Sequence, residues 1–117
     1  MQASLRLRKR KQFSYAYNRG RSKSLPELSL VVARSGKLLI GFSVGRKVGG
    51  AVVRNRVKRR LREAVRPYAA DLRPAIYVFV ARKPAAGMSF WQLKDAVLGL
   101  FRRHSAFMDR PETARGQ

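Results

Sequence analysis

Residues 46–66 read RKVGGAVVRNRVKRRLREAVR, and this stretch decides more about the chain than any other. Its glycine pair, Gly49-Gly50, opens a segment whose apolar residues recur at helical spacing. At about 100° per residue, Val53, Val57, Leu61, Ala64, Val65 and Tyr68 gather within one third of a helix circumference. The remaining positions are almost solidly cationic. Asn55, Lys58, Arg59, Arg62 and Arg66 cluster on the opposite side, while Arg54, Arg56 and Arg60 flank the apolar stripe. Glu63 is the one acid of the segment. Like charges four residues apart, such as Lys58/Arg62 and Arg62/Arg66, each cost about a few tenths of a kcal/mol. A solvated helix face ordinarily mixes its signs. One this uniformly positive calls for a polyanion to neutralise it.

The composition points the same way. Lys and Arg number 27 against 6 Asp and Glu, a net charge of +21 over 117 residues. That balance is the footprint of nucleic acid or, less often, of an anionic membrane. With 45% hydrophobic residues the chain can bury one core, so a single domain with short basic ends is expected. Its longest apolar runs, of the IYVFVA kind, fall well short of a membrane span. The opening MQASLRLRKRKQF has no apolar segment behind its charges and is not a secretory signal. Without cysteine there is neither a disulfide framework nor a thiolate metal site, and cytoplasm is the expected compartment.

The catalytic inventory is nearly empty. The acids are Glu27, Glu63, Asp71, Asp95, Asp109 and Glu112, and only the last two lie within a helical turn of each other, beside Pro111. A two-metal nuclease needs several carboxylates converging on its ions, and a metal-independent one wants a paired general acid and base. The single His104 has no such partner and falls where an apolar stripe ends, the position of a packed or surface histidine. No catalytic and no metal-ligating residue is expected. Read alone, the chain binds RNA or DNA and does not cut it.

Around the cationic stretch, a compact mixed fold can be read. Lys9 to Asn18 suggests a short helix with Phe13, Ala16 and Tyr17 on one side and Gly20 as its stop. Arg21 to Pro26 is loop-like, with room for a very short strand. Leu28 to Ala33 and Lys37 to Val44 are β-prone runs joined around Ser35-Gly36, which predicts an antiparallel hairpin. The cationic helix should end near Pro67. Ala75 to Ala81 is a continuous apolar run and therefore a buried central strand. Phe90, Leu93, Ala96, Val97, Leu100 and Phe101 predict an amphipathic helix over about Ser89 to Ser105, with Ser89 as its N-cap. Residues 1–108 would form the domain, and residues 109–117 a polar, disordered tail.

At this point the chain resembles a known family, the protein subunit of bacterial ribonuclease P. The resemblance covers about Leu7 to Phe107 and centres on Gly45-Arg46-Lys47, Gly49, Ala51-Val52, Arg54-Asn55-Arg56, Lys58-Arg59 and Arg62-Glu63. Phe13 and Tyr17, the run Ile40-Gly41-Phe42-Ser43-Val44, and Val80-Ala81-Arg82 also fit. The resemblance implies an α+β fold: a single-domain two-layer α/β sandwich of order αβββαβα. It also implies the ribosomal protein S5 domain 2-like arrangement, with a left-handed βαβ crossover. Right-handed crossovers hold in about 98% of such units, so that handedness comes from the resemblance alone.

The implied function is to assist a large catalytic RNA in cutting 5′ leaders from precursor tRNA. Chemistry would belong to RNA and Mg²⁺, in keeping with that ion's preference for oxygen and retained water. Arg46, Lys47, Arg54, Asn55, Arg56, Lys58, Arg59 and Arg62 would bind the catalytic RNA. A cleft lined by Phe13, Tyr17, Leu30 and Val32 would hold the single-stranded leader. The protein would be a monomer, one per RNA, with no membrane partner. Gly45 stands where the family commonly has serine and Arg46 where it has lysine, and Leu30, Val31 and Val32 occupy a strand where an aromatic often lines the cleft. Other classes compete. A ribosomal or other structured-RNA-binding protein would share charge and size but not the Arg-Asn-Arg run after Gly-Gly-Ala-Val. In a helix-turn-helix DNA binder another helix would precede the cationic one, where this chain has a strand-like segment and a Gly-rich loop. A stand-alone nuclease would need more acids.

Overall fold

The computed structural model describes residues 3–108, so the polar tail expected over residues 109–117 lies outside the described residues. Three helices, α1 (Arg10–Arg19), α2 (Ala51–Val65) and α3 (Phe90–Arg103), pack on one sheet of four strands. The strands are β1 (Arg21–Ser24), β2 (Leu28–Arg34), β3 (Leu39–Val44) and β4 (Ala75–Ala81). Across the sheet they run β1-β2-β4-β3.

That order corrects the expected hairpin. β2 and β3 do not pair with each other. β4 lies between them, antiparallel to β2 with Val31 opposite Val78 and parallel to β3 with Gly41 opposite Val78. The reason lies in the apolar run of β4, AIYVFVA, which is stable only with both faces covered and both edges paired. The link from Ser35 to Leu38 must then step across one intervening strand, about 10 Å at ~4.8 Å per strand, which four extended residues can span. Ser35 Oγ accepts the Lys37 amide at 3.1 Å within that link. Arg21–Ser24, read as loop with room for a short strand, forms the edge strand β1.

Strict alternation splits the sheet residues between two layers. Val31, Ala33, Leu39, Ile76 and Val78 turn toward α1 and pack with Leu7 and Ala16. Leu28, Leu30, Ile40, Val44, Tyr77 and Phe79 turn the other way, toward α2 and α3. There they meet Val57, Leu61, Ala64 and Val65 of α2 and Leu93, Val97, Leu100 and Phe101 of α3. Two glycines let α1 sit close. A Cβ on Gly41 would lie 2.9 Å from Phe13 Cζ, and one on Gly20 2.4 Å from the Ala16 carbonyl oxygen and 2.6 Å from Val31 Cγ1. Ser89 caps α3 as expected: its Oγ accepts the Gln92 amide at 3.1 Å, and Gln92 Oε1 accepts the Ser89 amide at 2.9 Å. α2 ends at Val65 and passes into a tighter 3₁₀ turn, Arg66–Asp71, with Pro67 near its start.

Candidate nucleic-acid interface

The Gly45–Gly50 loop joins β3 to α2 and is shaped from inside. Its Val48 side chain is buried in the core, and the Val48 amide donates to the Gly45 carbonyl at 3.1 Å, which turns Arg46 and Lys47 out into solvent. Gly49 must be small because a Cβ there would meet Val53 Cγ1 at 2.8 Å. Gly50 then starts α2 with no side-chain cap and no acid in the first turn. The helix therefore presents unsatisfied N–H groups and a partial positive charge beside two cations.

Along α2, the expected apolar stripe is buried at Val57, Leu61, Ala64 and Val65, with Val53 and Tyr68 packed at its margins. The cations divide into two groups. Arg56 Nη2 donates to the Ala86 carbonyl at 3.2 Å and Arg60 Nη1 to the Met88 carbonyl at 2.7 Å, so both tie α2 to the turn before α3. Asn55 and Arg59 are exposed, and Arg54, Lys58 and Arg62 half-exposed. Glu63 pairs with Arg66 at 3.6 Å. The Nε atoms of Arg54, Arg56 and Arg62 are shielded from solvent yet have no hydrogen-bond partner. Shielded donors of this kind are expensive unless an acceptor arrives. Six of the eight expected RNA-binding residues thus line the outward side of the loop and helix; Arg56 is half committed to the fold, and Arg54 lies along the flank.

The other surface needs a correction. Phe13 and Tyr17 do stand together on α1, ring centroids 6.4 Å apart, with Phe13 half-buried over Gly41 and Tyr17 47% exposed. Leu30 and Val32 do not join them. They project from the opposite face of β2, Leu30 fully buried under α3, because α1 covers the odd positions Val31 and Ala33. The α1 face of the sheet continues instead through Ser29, Val80 and Ser43, in cross-strand register. Ser24 and Ser29 share a hydrogen bond at 2.8 Å, and Arg82 Nε donates to Ser29 Oγ at 3.1 Å. A depression of about 680 Å³ opens between Ser43, Val80 and Arg82 on one side and Arg46 and Lys47 on the other. A small polar floor thus runs from the aromatic pair toward the cationic loop. The alternation of Ser29 with Leu28 and Leu30 carried that signal, but sequence reasoning did not weigh it. It also passed over Trp91, the chain's one tryptophan, which is 69% exposed with Lys94 Nζ 5.6 Å from its ring.

Among the described residues, no group of three or more His, Asp or Glu side chains converges to hold a metal ion. No helix among them is long and apolar enough to cross a membrane.

The family model for ribonuclease P matches residues 1–105. This chain belongs to the ribonuclease P protein family. A ribonuclease P protein component from Bacillus velezensis is 39% identical over 105 residues, 87% of this chain and 90% of the relative. The solved ribonuclease P protein of Staphylococcus aureus superposes with a TM-score of 0.83 at 24% identity, over 89% of this chain and 98% of the other, a likeness of fold. A mutant of the S. aureus protein, described as defective in mRNA degradation activity, matches equally well, with a TM-score of 0.83 over 88% of this chain and 90% of the other. The glycine loop and the cationic helix, on which the resemblance centred, turn Arg46, Lys47, Asn55, Lys58, Arg59 and Arg62 outward in this fold.

Proposed function

We propose that this chain, as the protein subunit of a ribonuclease P ribonucleoprotein, grips the catalytic RNA with the Gly45–Gly50 loop and α2. The 5′ leader of precursor tRNA lies over the sheet face beside α1. The observation that carries this reading is the outward side of the loop and α2, where Arg46, Lys47, Lys58, Arg59 and Arg62 stand together and Glu63, paired with Arg66, is the one acid of the helix. RNA phosphates pair with those cations and release counterions as they dock. On the other face, Phe13 and Tyr17 stack on or pack against unpaired bases, a contact tolerant of sequence. Ser29, Ser43 and Arg82 line the continuation of that path. In this reading the protein contributes no catalytic residue, and Mg²⁺ is held by RNA and substrate phosphates. It works in the cytoplasm, one monomer per RNA.

Reconstitution tests the reading. Precursor tRNA and the host's catalytic RNA at low Mg²⁺ should release the 5′ leader faster when the protein is added. Protein alone should release none; because of the S. aureus mutant's description, the same control is run on an mRNA. Phe13→Ala and Tyr17→Ala should each weaken holoenzyme binding of precursor tRNA by ~1–3 kcal/mol and leave mature tRNA, which has no leader, unaffected. Tight RNA binding without faster cleavage would make the chain a structured-RNA-binding protein of another kind.

A further inference from the structure

At the end of the sheet away from the Gly45–Gly50 loop, a second cavity of about 860 Å³ opens on the α3 side. Arg19, Arg21, Arg34 and Arg73 line it together with His104, and no carboxylate among the described residues does. These arginines come from four separate places: the end of α1, the start of β1, the end of β2 and the approach to β4. Along α2 the positive charge is a property of one helical segment, but here folding itself brings the charges together. Their mutual repulsion is a cost of the fold that an anion would remove.

Several arginines elsewhere are held by the chain. Arg56 and Arg60 hold carbonyls, Arg82 holds Ser29, and Arg103 Nη1 donates to the Ser24 carbonyl at 3.4 Å. In this cavity Arg73 is steadied by its Nε bond to the Ser105 carbonyl at 3.1 Å. The side chains of Arg19, Arg21 and Arg34 are exposed and make no hydrogen bond or ion pair among the described residues. Between the arginines the floor is apolar: Val32, Ala75 and the buried ring of Tyr77, whose hydroxyl donates to the Arg73 carbonyl at 2.8 Å. Cations at the rim and an apolar floor match the two halves of an unpaired nucleotide, its phosphate and its base.

We propose that this cavity is a second RNA-binding site, which takes a single-stranded segment with phosphates on Arg19, Arg21 and Arg34 and a base against Val32 and Tyr77. The seven residues of β2 put it roughly 20 Å from the cationic loop at ~3.3 Å per residue. It also lies on the sheet face opposite Phe13 and Tyr17. The segment it holds is therefore distinct from the one beside α1, and the protein bridges two stretches of RNA. This rests on the RNA-binding reading of α2 but has its own reporter.

The reporter is His104, the chain's single histidine, whose ring lines the cavity while its Nε2–H donates to the Leu30 carbonyl at 2.8 Å. The full chain is titrated with hexauridylate, and in parallel with inorganic phosphate at matched ionic strength, while the imidazole resonances are followed by NMR. Hexauridylate should move them saturably at concentrations where phosphate does not. Arg21→Ala with Arg34→Ala should push the shift to higher hexauridylate concentration and lower the log–log salt slope of this binding by about 1.4, at ~0.7 per phosphate on a single strand. Arg21→Lys with Arg34→Lys keeps the charge and should keep most of the slope, which covers the case of an alanine pair that does not fold. Lys58→Ala with Arg59→Ala, on α2, should leave the shift in place. Resonances that stay still, that respond equally to phosphate, or that lose their response in the α2 variant would overturn the site. If that happens while α2 variants still weaken binding of the catalytic RNA, only the second site falls; if no RNA binds anywhere, the functional reading falls with it.

Discussion

α2 and α3 lie side by side on the same sheet face and supply comparable shares of one core, yet they obey local rules very differently. α3 opens on a reciprocal Ser89/Gln92 cap and closes on Arg102 and Arg103, where cations complement the negative end of the helix dipole. α2 opens on an uncapped glycine, has no acid in its first turn, and is cationic from Arg54 to Arg66 with Glu63 the one exception. A helix that serves packing alone can satisfy its own ends and faces. One that meets a polyanion, as proposed for α2, forgoes that local stability, and in α2 the shortfall is largest on its outward side and at its N-terminus, where the proposed contact lies.

The contrast is sharpest when each helix loses what defines it. Phe101 of α3 is fully buried at the centre of the aromatic cluster, 5.7 Å from Tyr77, 5.4 Å from Phe79 and 5.7 Å from Phe107 between ring centroids. Phe101→Ala should cost ~3–5 kcal/mol in urea denaturation. Replacing Arg54, Lys58, Arg59 and Arg62 of α2 together by alanine should leave the unfolding midpoint unchanged or raised, since repulsion is relieved. The same variant should flatten the log–log salt slope of binding to the catalytic RNA by about 3 to 4 units. If it unfolds as Phe101→Ala does, the α2 cations hold the fold and the comparison fails.

The same contrast explains what could be read before the structure. α2, α3 and the Ser89 cap were legible because helical period and capping are local, written within a few residues of each other. The central position of β4 was legible from its unbroken apolar run. Its partners were not. Whether Leu28–Arg34 pairs with Leu39–Val44 or with a strand some forty residues later depends on contacts that no local pattern encodes. The same gap misplaced Leu30 and Val32. Alternation says that they share a face, but only the packing of α1 says which face the helix covers. The loop cations, the helix cations and the α1 aromatics were legible as a set. Ser43 and Arg82 entered only as members of runs that fit the resemblance, and Ser29 not at all, because their common place on one sheet face depends on cross-strand register.

The helix N-termini offer a subtler comparison. Ser89→Ala removes the cap of α3 and should cost ~1 kcal/mol, with RNA affinity unchanged. Gly50 has open space around it, with no heavy atom within 4 Å of the place a Cβ would take, so Gly50→Asp can be accommodated. An aspartate there caps α2 and faces the positive end of its dipole, a gain of up to ~1 kcal/mol in thermal or urea unfolding. The same carboxylate stands beside Arg46 and Lys47 and should weaken binding of the catalytic RNA, most at low salt. A stabilised variant with undiminished affinity would show that RNA does not approach the start of α2.

The smallest effect concerns the end of α3, where His104 fastens the helix to β2 through the Leu30 carbonyl. Burial lowers the imidazole's proton affinity below the ordinary value of 6.5; the hydrogen bond to Leu30 works against that, and nearby Lys23 reinforces it. The folded chain therefore holds fewer protons at this position than the unfolded chain wherever the two differ, and stability rises with pH across that interval. The contribution is intact above 6.5 and erodes as the pH falls through that value, when unfolding lets the ring take up a proton. His104→Gln can keep a donor toward Leu30 but cannot titrate. Urea midpoints taken from about pH 7.5 down to about pH 5 should fall further for the natural chain than for this variant. Parallel acid limbs would mean that the ring is as free to protonate in the fold as outside it. The end of α3 would then be held by the aromatic cluster around Phe101, with the histidine adding nothing that depends on pH.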